Sequence, residues 1–152
     1  MKIESCGKDN FNIFINRLYV KEIDFNSKDE LVCFIKEFIL KVKNKLGMRG
    51  FYKIKVYPQD IIGIFLDVTK LDDVDLSNTL DLRVIIMSDE RIYYETEDYS
   101  KIESYNDKRY MDGLFYCVVD DYFDNILEKV EFGRFIYGKE VINLLNNSLI
   151  LW

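Results

Sequence analysis

Three groups of carboxylates have a spacing that could support acid–base or metal chemistry: Asp72, Asp73 and Asp75; Glu95, Glu97 and Asp98; and Asp120, Asp121 and Asp124. General acid–base work needs two such groups converging in one pocket with their proton affinities pushed apart. Set against a calcium-binding loop, Asp73, Asp75 and Ser77 take the first, third and fifth positions. Asn78 then stands where the sharp turn needs glycine, and Val84 where the loop needs its closing glutamate, so the match fails at its two most demanding positions. Asp120 or Asp121 reads more simply as a cap for the helix that follows.

Other chemistry is excluded by residue type. The chain of 152 residues has no histidine. That removes Ser-His-Asp and Cys-His nucleophile activation, the H-E-x-x-H zinc site, and the side chain that most often serves as base near neutral pH. No glycine-rich phosphate loop occurs; "YGKE" at 137–140 has the dipeptide without the loop. Cys6, Cys33 and Cys117 are widely spaced with no C-x-x-C, which argues against a disulfide framework or zinc site, and Cys33 between Val32 and Phe34 reads as a small buried hydrophobe. The expectation is a protein that is not an enzyme and uses no cofactor or metal.

The elements around these residues are read from periodicity. Lys2 to Ser5, a turn at "GKDN" and then Phe11, Ile13 and Ile15 in alternation form a hairpin. In "NSKDELVCFIKEFILKVKNKLG", Ser27 and Glu30 make a capping box, Leu31, Phe34 or Ile35, Phe38, Val42 and Leu46 recur at helical spacing, and Gly47 ends the helix. Tyr52, Ile54 and Val56 share one strand face, while Ile62, Ile64, Leu66 and Val68 share a face of the next strand. A loop of Pro58, Gln59 and Asp60 would place Val56 across from Ile62 and Ile54 from Ile64. The other face of this hairpin then carries Phe51, Tyr57, Ile61 and Phe65 around Gly63 and two lysines. These four are the candidate partner-binding residues, unless the chain's own apolar end, Leu149 to Trp152, covers them.

Beyond an acidic stretch at 71–80, "LRVIIMSDERIYYETE" reads as a further hairpin turning near Ser88 to Glu90, and "GLFYCVVDD" as a strand. "DDYFDNILEKV" reads as a helix with Tyr122, Phe123, Ile126, Leu127 and Val130 inward, and a last short helix falls around Glu140 to Leu145. The fold class is α+β, a mostly antiparallel sheet of hairpins with one long amphipathic helix and one or two shorter C-terminal helices. Residues 1–152 form a single domain on this reading, with subdomains 1–70 and 81–152 joined by the acidic stretch as the alternative.

Charge is divided unequally. Residues 1–70 carry 13 Lys/Arg against 9 Asp/Glu, and 71–152 carry 8 against 18. Lys41, Lys43 and Lys45 complement the negative end of the helix dipole, and no nucleic-acid signature accompanies them. Residues 1–10 lack the apolar run of a secretory signal, and apolar stretches break at charge within about six residues, against the roughly 20 needed to cross a bilayer. A cytoplasmic protein is expected, with neither nucleic acid nor membrane as partner.

In order and character, "MKIESC", "FNIFI", the capped helix containing "DELVCFIKEF" and "GFYKIKVYPQDIIGIFLDVTKL" resemble the N-terminal domain of the MecA family of adaptor proteins. "ILEKVEFGRFIYGKEVINLL" faintly resembles the end of that family's C-terminal domain. The resemblance covers about the first 70 residues. It implies an adaptor that brings substrates to a Clp-type ATP-dependent chaperone and protease, its two domains dividing substrate binding from chaperone binding. Residue chemistry alone points to a protein–protein interaction or regulatory module. An acidic immunity or antitoxin protein, blocking a basic toxin with its second half, is the rival.

Overall fold

Strand alternation and one amphipathic helix build the first part of the molecule. In the computed structural model, which describes residues 2–5, 7, 9–72, 80–87 and 90–152, the chain is α+β and divides into two compact units, Met1–Ser88 and Asp89–Trp152. Cys6, Asp73, Asp75, Ser77 and Asn78 lie outside the described residues. None of the described helices is long and apolar enough to cross a membrane.

The first unit contains β1 (Lys2–Ser5), β2 (Asn10–Asn16), α1 (Lys28–Leu46), β3 (Gly50–Gln59), β4 (Gly63–Asp72) and β5 (Leu80–Ile86). Its sheet runs in the order β1-β2-β4-β3-β5. Ile13 and Ile15 from β2, Tyr52, Ile54 and Val56 from β3, and Ile64, Leu66 and Val68 from β4 are buried in one cluster with Leu31, Ile35, Ile39 and Val42 of α1. Each fully buried aliphatic side chain contributes roughly 1.5 to 3 kcal/mol, so this face supplies the unit's main driving force.

The start of α1 departs from a reciprocal capping box in one respect. Ser27 Oγ accepts from Glu30 N at 3.3 Å, but the Glu30 carboxylate reaches back to Asp24 N at 2.9 Å. Gly47, at φ 63°, closes the helix in the left-handed conformation expected of it. Cys33 corrects its expectation: it points away from the Leu31 and Ile35 stripe and is exposed.

The β3–β4 hairpin keeps the predicted faces with a different register. Val56 lies opposite Leu66, Ile54 opposite Val68 and Tyr57 opposite Phe65, so the connection is Asp60–Ile62 instead of Pro58–Asp60. The shift is even, and an even shift leaves every side chain on its own face. Local hydrogen bonding selects the later turn: Gln59 Oε1 accepts from Ile61 N at 2.6 Å and Ile62 N at 3.0 Å. Gly63 then enters β4 at φ 140°, where an added Cβ would stand 2.1 Å from the Ile15 carbonyl oxygen of β2. Arg17 secures the same corner from the side. Its guanidinium donates to the carbonyls of Val20, Ile23 and Asp60 and lies 3.8 Å from the Phe25 ring centroid.

The hairpin expected over residues 82–94 does not form. β5 pairs in parallel with β3, with Ile54 opposite Val84 and Val56 opposite Ile86. Alternation fixes which residues of a strand face the core but not which strand it joins. A parallel neighbour cannot follow by a tight turn, and β4 stands between β3 and β5 in the sequence. The division between units falls at 88/89.

In the second unit are β6 (Tyr93–Thr96), β7 (Arg109–Met111), β8 (Leu114–Val118), α2 (Ile126–Phe132), β9 (Gly133–Ile136), α3 (Lys139–Asn147) and β10 (Leu149–Ile150), with sheet order β10-β7-β8-β6-β9. All of its described pairings are antiparallel. Asp112-Gly113 turns β7 into β8, with φ of 52° and 83°. Such a pair is the strongest short-range hairpin signal in a sequence, and strand alternation alone passes over it. Val141 and Leu144 of α3 pack on Tyr93, Tyr116 and Ile136 of this sheet.

Gly63→Ala is expected to destabilise the first unit by more than about 2 kcal/mol, because backbone strain and a backbone clash act together. Gly113→Ala, with open space around the added methyl, should lose clearly less. Urea unfolding of the two full-length variants checks the difference.

Candidate functional site

The four residues singled out as a partner surface separate into two kinds. Tyr57 and Phe65 are directly opposed on β3 and β4, and Phe14 of β2 stacks on Phe65 with ring centroids 4.8 Å apart. Both are buried, Phe65 to 5% exposure. Ile61 is half-buried in the turn. Phe51, set off by a register irregularity at Phe51/Tyr52, is 37% exposed at the far end of the hairpin. The structure therefore does not gather the four into one exposed patch. In the C-terminal segment Trp152 is fully exposed and the side chains of Leu149 and Ile150 are largely so. That segment is held by its backbone: β10 pairs with β7, and Leu151 N donates to Lys108 O at 2.8 Å.

The carboxylate groups are dispersed among separate structural tasks. Glu95, on β6, is buried and accepts from Tyr116 Oη at 2.7 Å and Arg134 Nε at 2.6 Å, and Arg134 also bonds Glu140. Asp98 accepts from both the amide and the hydroxyl of Ser100, capping the start of the short 3-10 turn Tyr99–Lys101. Asp120 accepts from Tyr122 N and from Asn106 Nδ2, forming a turn, so it is not the helix cap the sequence reading assigns to it or its neighbour. The α2 cap position is Asn125, left-handed at φ 53° and making no side-chain capping bond. Among the described residues no group of three His, Cys, Asp or Glu side chains is placed to hold a metal ion.

What the sequence reading misses is an inversion on α2. Tyr122, Leu127 and Val130, expected inward, are exposed, Leu127 to 80%, while Lys129 is buried to 4%. The helix starts only at Ile126, after Asn125 in the left-handed conformation, so Tyr122 and Phe123 do not share its period, and within it Lys129 is the buried position. Two sheet side chains hold it there: Tyr94 Oη donates to the Lys129 carbonyl at 2.7 Å, and Thr96 Oγ1 to the Phe132 carbonyl at 3.0 Å. Gly133 lets the chain leave α2 against β6, for an added Cβ would meet the Glu95 carbonyl oxygen at 2.1 Å. Phe123 stays inward, packing edgewise or tilted on Tyr94, Tyr105 and Phe135.

Lys129 Nζ lies over the rings of Tyr105 and Phe123, 4.9 and 5.7 Å from their centroids. Nζ bonds the Tyr105 hydroxyl at 3.2 Å, and that hydroxyl donates in turn to Asp124. Over this chain opens a polar cleft of about 380 Å³. At its wall Lys101 pairs with Glu128 at 2.7 Å, and the pairing holds the Glu128 carboxyl below its usual range. Burial pushes the nearby Cys117 thiol up to about 12, which leaves it protonated and unreactive at neutral pH.

The same unit also exposes several large apolar side chains. Leu127 and Val130 stand on α2, Ile142 and Leu145 on α3, and Leu149 and Ile150 on the two-residue edge strand β10. Comparison of the chain with protein-family models, with curated proteins and with solved structures returns no match.

Burial raises the hydroxyls of Tyr94 and Tyr105 from an ordinary value near 10 to about 12, with the Asp124 carboxylate adding to the effect on Tyr105. The folded state prefers these groups protonated. Their stabilisation is therefore whole below about pH 10 and is lost as pH rises toward about 12. Tyrosinate absorbance and far-ultraviolet circular dichroism recorded together should show a late tyrosine ionisation that coincides with unfolding. Ionisation of all tyrosines near pH 10 with the fold intact would contradict the burial described.

Proposed function

We propose that the protein is a non-enzymatic, cytoplasmic protein–protein interaction module of adaptor type, with another protein as its partner and neither nucleic acid nor membrane. The observation that carries this reading is the exposure of large apolar side chains in the second unit, Ile142 and Leu145 on α3 and Leu149 and Ile150 on β10. An apolar edge strand is a feature that chains keep short or cover, and exposed large apolar side chains beside one favour a partner. Resemblance of the first 70 residues to MecA-type adaptors gives that partner a chemical identity, a Clp-type ATPase. The immunity-protein alternative rests on the acidic balance of residues 71–152, 8 Lys/Arg against 18 Asp/Glu.

Calorimetric titration of the full chain with the Clp-type ATPase of its own cell tests the proposal, together with the ATPase rate. The expected result is saturable binding that changes the rate and weakens at least about tenfold in the Ile142→Asp, Leu149→Asp double variant, whose positions are exposed and leave the fold intact. Absence of binding, or binding indifferent to the double variant, would overturn it.

A further inference from the structure

Lys129 is the feature least explained by folding alone. An ammonium carries three N–H donors, and a buried one needs acceptors or counter-charge to offset lost hydration. Nζ makes one hydrogen bond, to the neutral Tyr105 hydroxyl, and among the described residues no carboxylate lies within ion-pair distance of it. The aromatic faces beneath it supply partial compensation. Lys129 also lines the cleft of about 380 Å³, so its remaining donors have somewhere to act. That volume falls at the small end of ligand sites, and the lining is polar where drug-like pockets are mostly apolar.

We propose that this cleft binds a small carboxylate that also bears a hydroxyl or ammonium group, with its carboxylate on Lys129 Nζ. The other charges in the wall decide the class of ligand. Lys101 and Glu128 neutralise one another, and Asp124, which accepts from Tyr105, faces Lys129 across that hydroxyl. Two cations and two anions leave no surplus positive charge for a phosphate dianion, which would meet both carboxylates. A singly charged carboxylate fits beside Lys129, and a donor on the same molecule gives Asp124 or Glu128 a second bond. Ser104 is exposed and lines the cleft, so a bulky side chain there would fill part of it.

The test is an NMR titration of the isotopically labelled full chain with L-serine, L-lactate, acetate and inorganic phosphate separately, following the Lys129 side-chain ammonium and the amides of Ser104, Tyr105 and Asn125. L-serine, L-lactate or both should shift these signals saturably. Acetate, lacking the second group, should bind at least about tenfold more weakly, and phosphate no better than acetate. Lys129→Met and Ser104→Phe should each abolish the shifts. Ser104 is exposed, so its variant decides the matter even should Lys129→Met fail to fold. Three results would overturn the proposal: neither L-serine nor L-lactate saturates the site, acetate or phosphate binds as tightly as they do, or the shifts survive in Ser104→Phe.

Discussion

Directly opposed residues of neighbouring strands point to the same side of a sheet, and the first unit depends on that constraint. Tyr52, Ile54 and Val56 on β3 oppose apolar residues on β5, and Ile54 and Val56 oppose apolar residues on β4 as well. With Ile13 and Ile15 of β2 opposite Leu66 and Ile64, the result is one apolar face, four strands wide, that can be buried only by something with a matching stripe. α1 supplies it through Leu31, Ile35, Ile39 and Val42. Gly63 and Gln59 fix the β3–β4 register; Arg17 holds the turn beside it. Moving that register by one residue would send Lys53 and Lys55 into the core and Ile54 out of it.

The second unit obeys a different economy. α2 is seven residues long, too short to be stable by itself, and is held by tyrosine and threonine hydroxyls that satisfy its carbonyls. With its ends so fixed, it can bury a lysine and display a leucine, an arrangement that helix periodicity alone would reject. Places where local rules are broken while the surroundings enforce the breach are where function tends to lie. The inverted helix, the polar cleft and the exposed apolar residues of α3 and β10 all belong to this unit.

These differences explain what could be read from the sequence. The fold class, α1 and its Gly47 stop, and the two faces of β3 and β4 were legible because period and parity are local properties. Register and partner were not: an even slip conserves every face, and alternation in Leu80–Ile86 is equally compatible with a hairpin to β6 or a parallel edge on β3. Burial of Tyr57 and Phe65 was ambiguous because an apolar second face reads alike whether covered or displayed. The Lys129 inversion depended on where α2 begins, and Asp120, a plausible cap by type, closes a preceding turn instead. The Asp112-Gly113 signal was present in the sequence, by contrast, and needed only turn chemistry to interpret.

Assignment of β5 to the first sheet is the point at which parity, register and the division into units meet. Native-state hydrogen exchange of the full chain, read residue by residue, tests it most directly. The protected amides of Leu80–Ile86 should open with the same free energy as those of Gly50–Gln59 and Gly63–Asp72. Exchange in step with Tyr93–Thr96, or no protection, would contradict the parallel pairing on which the first unit is built.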